Sequence, residues 1–192
     1  SIQTCDLPEW DPSRRVLGVI RPTAEIIGTL TKNNHVGLLA TEGTVISHSY
    51  DLEIKKFWPD IKVSGVACPF WVPLVEYNEA DSPGADYFVK KRIDELMRKD
   101  NDIDTIILGC THYPILMPKI IKYVKPGVRI IPQGEYIADS LKTYLDRHDT
   151  IESQITHGGS CRYYTTENPD KFKESAQIFL HEKVTVKHVD LE

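Results

Sequence analysis

Apolar runs and amphipathic stretches alternate along the chain. Short apolar runs at 16–20 (VLGVI), 35–41 (HVGLLAT), 61–69 (IKVSGVACP), 103–110 (IDTIILGC) and 128–134 (VRIIPQG) read as strands. Within the run 103–110, residues 106–110 (IILGC) are continuously apolar, as suits a strand covered on both faces. Between the runs lie stretches with helical spacing at 22–30, 44–58, 88–99, 115–124 and 135–148. Thr44 is the expected N-cap of the second stretch. Residues 88–99 put Phe88, Val89, Ile93, Leu96 and Met97 on one face. Pro118 is tolerable because it falls in a first helical turn, where N–H groups have no partner in any case. The tail reads as strand 160–166, helix 168–180 and strand 182–191, while 77–85 and 149–160 read as surface loops. Such alternation predicts an α/β fold with a parallel sheet flanked by helices.

In open α/β sheets ligands bind beyond the carboxyl ends of the strands. Three polar, turn-forming clusters fall at such ends: ATEGT (40–44), ACPFWVPLVE (67–76) and GCTHYP (109–114). They are expected to converge on one cleft.

Composition narrows the partners. The 192 residues are 41% hydrophobic and 27% charged, enough apolar content for a real core. A formal net charge of −5 argues against nucleic acid or an anionic membrane as partner. No apolar run approaches the roughly 20 residues that span a bilayer, and the opening SIQTCDLPEW is not expected to be a signal peptide. The four cysteines, at 5, 68, 110 and 161, form no CxxC pair and fit no zinc spacing, so free thiols in a reducing cytoplasm and no metal site are expected.

The string LGCTHYP (108–114) concentrates the chemistry. Gly109 would let the backbone turn sharply or approach a ligand. Cys110 would follow at the tip, near a helix N-terminus that stabilises negative charge and so a thiolate. Thr111 offers a hydroxyl and an N–H, and His112 titrates near working pH. The plainer alternative is that Thr111 only caps a helix and His112 only satisfies a nearby backbone group.

LGCTHYPIL closely resembles the segment of glutamate racemases around the second of their two catalytic cysteines. GVIRPTAE, LLATEGTV, ACPFWVPLVE and IIPQGEYIADSL resemble the same family in the same order, so that the likeness covers roughly residues 14–148. It implies a two-lobed architecture of parallel, flavodoxin-like sheets and a cofactor-independent interconversion of L- and D-glutamate. In that chemistry two thiols flank the substrate Cα; one removes its proton and the other delivers a proton to the opposite face. By resemblance Cys110 is the base for L-glutamate, Thr111 and His112 contact substrate, and His112 assists Cys110. Glu76 matches an acidic residue that orients the histidine. Thr41 and Thr44 match a loop beside the substrate carboxylate. The resemblance further implies a cytoplasmic enzyme, a homodimer, and supply of D-glutamate for peptidoglycan, hence cell-wall biogenesis and cell shape.

One part of the family pattern has no counterpart. The D-S-G-x-G-G, P-Y-G and C-N-T strings of the family's amino-terminal part, the last carrying the first catalytic cysteine, do not occur here. Cys5 lacks the C-N-T context, Cys68 matches a non-catalytic position and Cys161 lies in the tail. The expectation is therefore a carboxy-terminal two-thirds, inactive alone: a linker at 1–14, a middle α/β lobe at 15–112 and part of a second lobe at 113–192. Two readings from other classes remain beside it: a thiol hydrolase using Cys110 and His112, and a non-catalytic amino-acid-binding or interaction lobe.

Overall fold

The computed structural model describes residues 7–11, 16–156 and 158–191. Cys5 and most of the expected linker 1–14 lie outside them. After a short helix α1 (Leu7–Trp10) come α2 (Ile20–Leu30), β1 (His35–Ala40), α3 (Glu42–Ile46), α4 (Ser49–Lys55), β2 (Lys62–Ala67), α5 (Trp71–Glu76), α6 (Pro83–Lys99) and β3 (Thr105–Gly109). A 3-10 turn (Tyr113–Leu116) then leads into α7 (Met117–Tyr123), β4 (Arg129–Ile131), α8 (Gly134–Asp146), α9 (Asp149–Glu152), β5 (Tyr163–Thr165), α10 (Pro169–Leu180) and β6 (Val186–His188).

Four strands form one parallel sheet in the order β2-β1-β3-β4. This is the α/β architecture that the alternation of apolar runs and amphipathic stretches predicts. β4 comes from the segment 113–192, so the crossover from β3 to β4 passes through position 112. Successive side chains of a strand face opposite ways, and each face of this sheet has its own core. Leu39, Val66, Ile106 and Leu108 pack with α5, α6 and α7 through Trp71, Val89, Ile93 and Ile120. Val36, Leu38, Ala40 and Ile107 pack with α2 and α4 through Ala24, Ile27, Tyr50 and Ile54. The tail forms a separate parallel pair, β5 and β6, joined through α10.

Several local expectations are corrected. The run 16–20 is not a strand: Val16, Leu17 and Val19 are exposed and lie outside the strands, and Ile20 opens α2. An apolar run becomes a strand only where a neighbour supplies its ladder partner. Residues 44–58 are not one helix. The chain breaks between α3 and α4 at His48, which takes the left-handed conformation with φ 51°. Thr44 lies inside α3, and Thr41 stands at its N-cap position. The loop expected at 77–85 is cut short because Ser82 caps α6, accepting from the Ala85 N–H, with Pro83 in the first turn. Residues 149–152 of the other expected loop form α9. Pro118 does sit in the first turn of α7.

Candidate active site

Strand register assembles the site. Ala40 at the end of β1 is paired with Ala67 of β2 on one side and Gly109 of β3 on the other. The residues that follow, Thr41, Cys68 and Cys110, therefore leave the same edge of the sheet side by side. Gly109 is needed here for space rather than for a special dihedral. A Cβ on it would lie 3.0 Å from both Ala40 Cβ and Leu38 Cδ1 and 3.4 Å from the Tyr50 ring.

Tyr113 fixes the turn that carries Cys110. Its ring is fully buried edge-on against Trp71 at 4.8 Å, and its hydroxyl donates to the Cys68 carbonyl at 3.3 Å. Burial pushes that hydroxyl's pKa well up, so it remains a donor. The β2 loop and the β3 loop are thus tied together by one side chain.

His112 is the hub. Its Nδ1 lies 3.7 Å from Cys110 Sγ and 3.5 Å from Thr111 Oγ1. Its Nε2 lies 3.4 Å from Glu76 Oε1, at the last residue of α5. A carboxylate at Nε2 favours the tautomer protonated there, which leaves the Nδ1 lone pair facing the thiol and the threonine hydroxyl. From the tail, Phe179 of α10 meets the imidazole edge-on at 5.4 Å and 90°. Cys110 and His112 are half-buried, whereas Thr111 and Glu76 are open to solvent.

Thr41 and Thr44 hydrogen-bond each other through their hydroxyls at 2.9 Å, at the end of β1. Cys68 is different from Cys110 in kind. Its thiol is buried, points to the Val66 carbonyl at 3.7 Å, and burial pushes its pKa far up. A neutral thiol turned into the core packs as a small apolar group. Cys161 is exposed in the tail.

Sequence reasoning passed over Gln133. It follows β4 at a fourth strand end, is buried, and has φ 49°. Its side-chain oxygen accepts from Thr23 Oγ1 at 2.8 Å and from the Tyr50 hydroxyl at 2.9 Å, and its amide donates to the Leu108 carbonyl at 2.8 Å. The usable signal was PQG directly after an apolar run, the same kind of cluster as the other three.

Among the described residues, one group has metal-ligand spacing: His35, Asp100 and Asp102, at the opposite end of the sheet. The Lys62 ammonium lies 2.9 Å from the same Asp100 carboxylate and already neutralises it. A cleft of about 510 Å³ runs along β2 past Val45, His48, Lys55, Lys62 and Lys99, and none of the expected site residues lines it.

The strand order and the thiol at the carboxyl edge define a flavodoxin-like α/β protein with a Cys–His–carboxylate chain at the carboxyl ends of its strands, the end where open α/β sheets generally bind ligands. No protein-family model matches the chain. Curated relatives do. A glutamate racemase of Streptococcus pyogenes is 38% identical over 176 residues, covering 92% of this chain and 66% of the relative. Another from the same species is 36% identical over 188 residues, covering 98% and 67%. Among solved structures, a glutamate racemase isoform from Bacillus anthracis superposes with a TM-score of 0.84 at 32% identity, over 98% of this chain and 69% of that one. A Francisella tularensis glutamate racemase in complex with D-glutamate gives 0.79 at 26% identity, over 96% and 67%. The chain belongs to the glutamate racemase family, and it spans about two thirds of the length of the curated relatives it matches.

Proposed function

We propose that the chain carries one half of a two-thiol racemisation site acting on glutamate. The observation that carries the reading is the line Cys110–His112–Glu76 at the carboxyl end of β3, in a chain whose relatives are glutamate racemases, one of them a structure in complex with D-glutamate. Cys110 as thiolate takes the Cα proton of L-glutamate, and in the reverse direction the thiol returns it. His112, oriented by Glu76, exchanges protons with Cys110 and contacts substrate together with Thr111. Thr41 and Thr44 present hydroxyls toward the substrate carboxylate. The opposing thiol is not Cys68, which faces the core, nor Cys161 in the exposed tail; a residue outside the described ones supplies it, so these residues alone hold the acid and base for one face only. The reaction needs no cofactor or metal in this scheme. The product serves peptidoglycan synthesis in the cytoplasm, and the working unit is a homodimer. No helix among the described residues is long and apolar enough to cross a membrane.

The test is exchange at Cα. The whole gene product is incubated with L- and with D-glutamate in deuterated buffer, with proton NMR following the Cα proton and circular dichroism following inversion. Inversion that falls by about a thousandfold in Cys110→Ser is the expected result. Inversion that survives the change, or glutamate binding with no exchange, overturns the reading; the second outcome favours a non-catalytic binding lobe.

A second reading has its own observation. Nucleophile, imidazole and carboxylate in line is also the layout of a thiol hydrolase. Turnover of an activated ester through acylated Cys110 would favour it.

A further inference from the structure

The β3–β4 ladder is registered only as far as Ile107 opposite Ile131. One residue later the main-chain partner is gone, just where β3 runs on to Gly109 and Cys110. The Gln133 side chain takes over, its amide donating to the Leu108 carbonyl at 2.8 Å. Two buried hydroxyls fix which way that amide points. Thr23 of α2 and Tyr50 of α4 both donate to Oε1, so the NH₂ must face Leu108. Tyr50 also bears on the same turn directly, since its ring lies where a Cβ on Gly109 would come within 3.4 Å. Gln133 is held at φ 49° and ψ −34°, outside the usual regions for a side-chain-bearing residue. A non-glycine residue stays in such a conformation only where its surroundings over-determine it, as three buried hydrogen bonds from three elements do.

We propose that Gln133, locked by Tyr50 and Thr23, is a positioning residue that sets the place and reactivity of the Cys110 thiol. This rests on the reading of Cys110 as a proton-transfer thiol, but it is tested without turnover. The groups facing Cys110 are His112, with Glu76 behind it, the Tyr50 and Tyr113 phenols and the Cys68 thiol, the last three kept protonated by burial. Gln133 touches none of the expected substrate contacts. It acts through the end of β3.

The chain carries its own controls. Cys161 is exposed and reports the reagent, while Cys68 is buried and is labelled only when the core opens. The experiment measures alkylation of each cysteine by iodoacetamide as a function of pH, read by peptide mass spectrometry. The variants are Gln133→Leu and the double change Tyr50→Phe with Thr23→Val, which leaves the amide in place but free to turn over. We expect Cys110 labelling at neutral pH to change about fivefold or more in each, with a displaced pH midpoint, while Cys161 and Cys68 keep their wild-type rates. Should Gln133→Leu fail to fold, the double variant decides. A Cys110 profile within about twofold of wild type in the folded variants overturns the proposal. So does a change in Cys110 matched by Cys68, which would mark general loosening. Failure of the racemisation reading shows separately, as absent Cα exchange in a protein whose Cys110 profile still responds to Gln133.

Discussion

The two ends of the four-stranded sheet treat their carboxylates in opposite ways. At the amino end, Asp104 accepts from Thr31 Oγ1 at 2.7 Å and from the backbone N–H groups of Lys32 and Asn33 at 2.6 and 3.0 Å. Beside it Asp100 is buried between His35 at 2.8 Å and Lys62 at 2.9 Å. At the carboxyl end, the contacts of His112 run from 3.4 to 3.7 Å, and the Glu76 carboxylate is half open to water. Short, fully partnered acids hold loops together. Long, partly solvated contacts leave protons free to move, and such contacts tighten only when substrate arrives. The same sheet therefore keeps its tightly partnered acids at one end and its loosely held Cys110–His112–Glu76 line at the other.

Substitutions can break that contrast. The largest effect is expected from Cys110→Ser, with about a thousandfold loss of Cα exchange, more than 4 kcal/mol, and an unfolding midpoint close to wild type. Next comes Asp104→Ala, which strands two hydroxyls, of Thr31 and Thr105, and two N–H groups; denaturant unfolding is expected to show a loss of about 2–3 kcal/mol. If Asp104→Ala left stability unchanged, the division of labour would be wrong. Glu76→Gln is expected to slow exchange about tenfold, roughly 1.4 kcal/mol, and to leave the denaturation curve alone, since Glu76 is exposed and, among the described residues, pairs with His112.

The smallest expected effect depends on pH. Burial alone would raise the pKa of Asp100, but hydrogen bonds from Lys62, His35 and the Asp102 N–H outweigh it and hold the carboxyl at about 2. A carboxyl depressed in the folded state adds stability above its unfolded value near 4, and that addition is lost as pH falls from about 4 toward 2. Asp100→Asn should therefore flatten the acid limb of the melting temperature against pH. An acid limb unchanged by Asp100→Asn would mean that other acids carry it.

Periodicity made the sheet and most helices legible because they need only a repeating apolar face. It could not see His48, where a single left-handed residue splits one amphipathic stretch into α3 and α4. It also read 16–20 as a strand, because composition says nothing about whether a partner strand is at hand. Cys110 and His112 could be reached from residue chemistry at a strand end. Glu76, Thr41 and Thr44 came only through resemblance, since no local spacing marks an acid 36 positions upstream as the neighbour of His112. Gln133 and Phe179 were missed for the same reason: their partners are set by the packing of distant elements.

The strand order has a consequence in time. β1 pairs with β2 within about 30 residues, but its other partner, β3, follows only about 70 residues after β1. At a synthesis rate of about 5–20 residues per second, the inner edge of β1 stands open on the ribosome for roughly 4–14 seconds. During that interval the strand that will later flank Cys110 is a bare template for any extended chain nearby. Slow codons placed before β3 would lengthen the exposure, and chaperone dependence of this protein in cells should track that interval rather than its final stability.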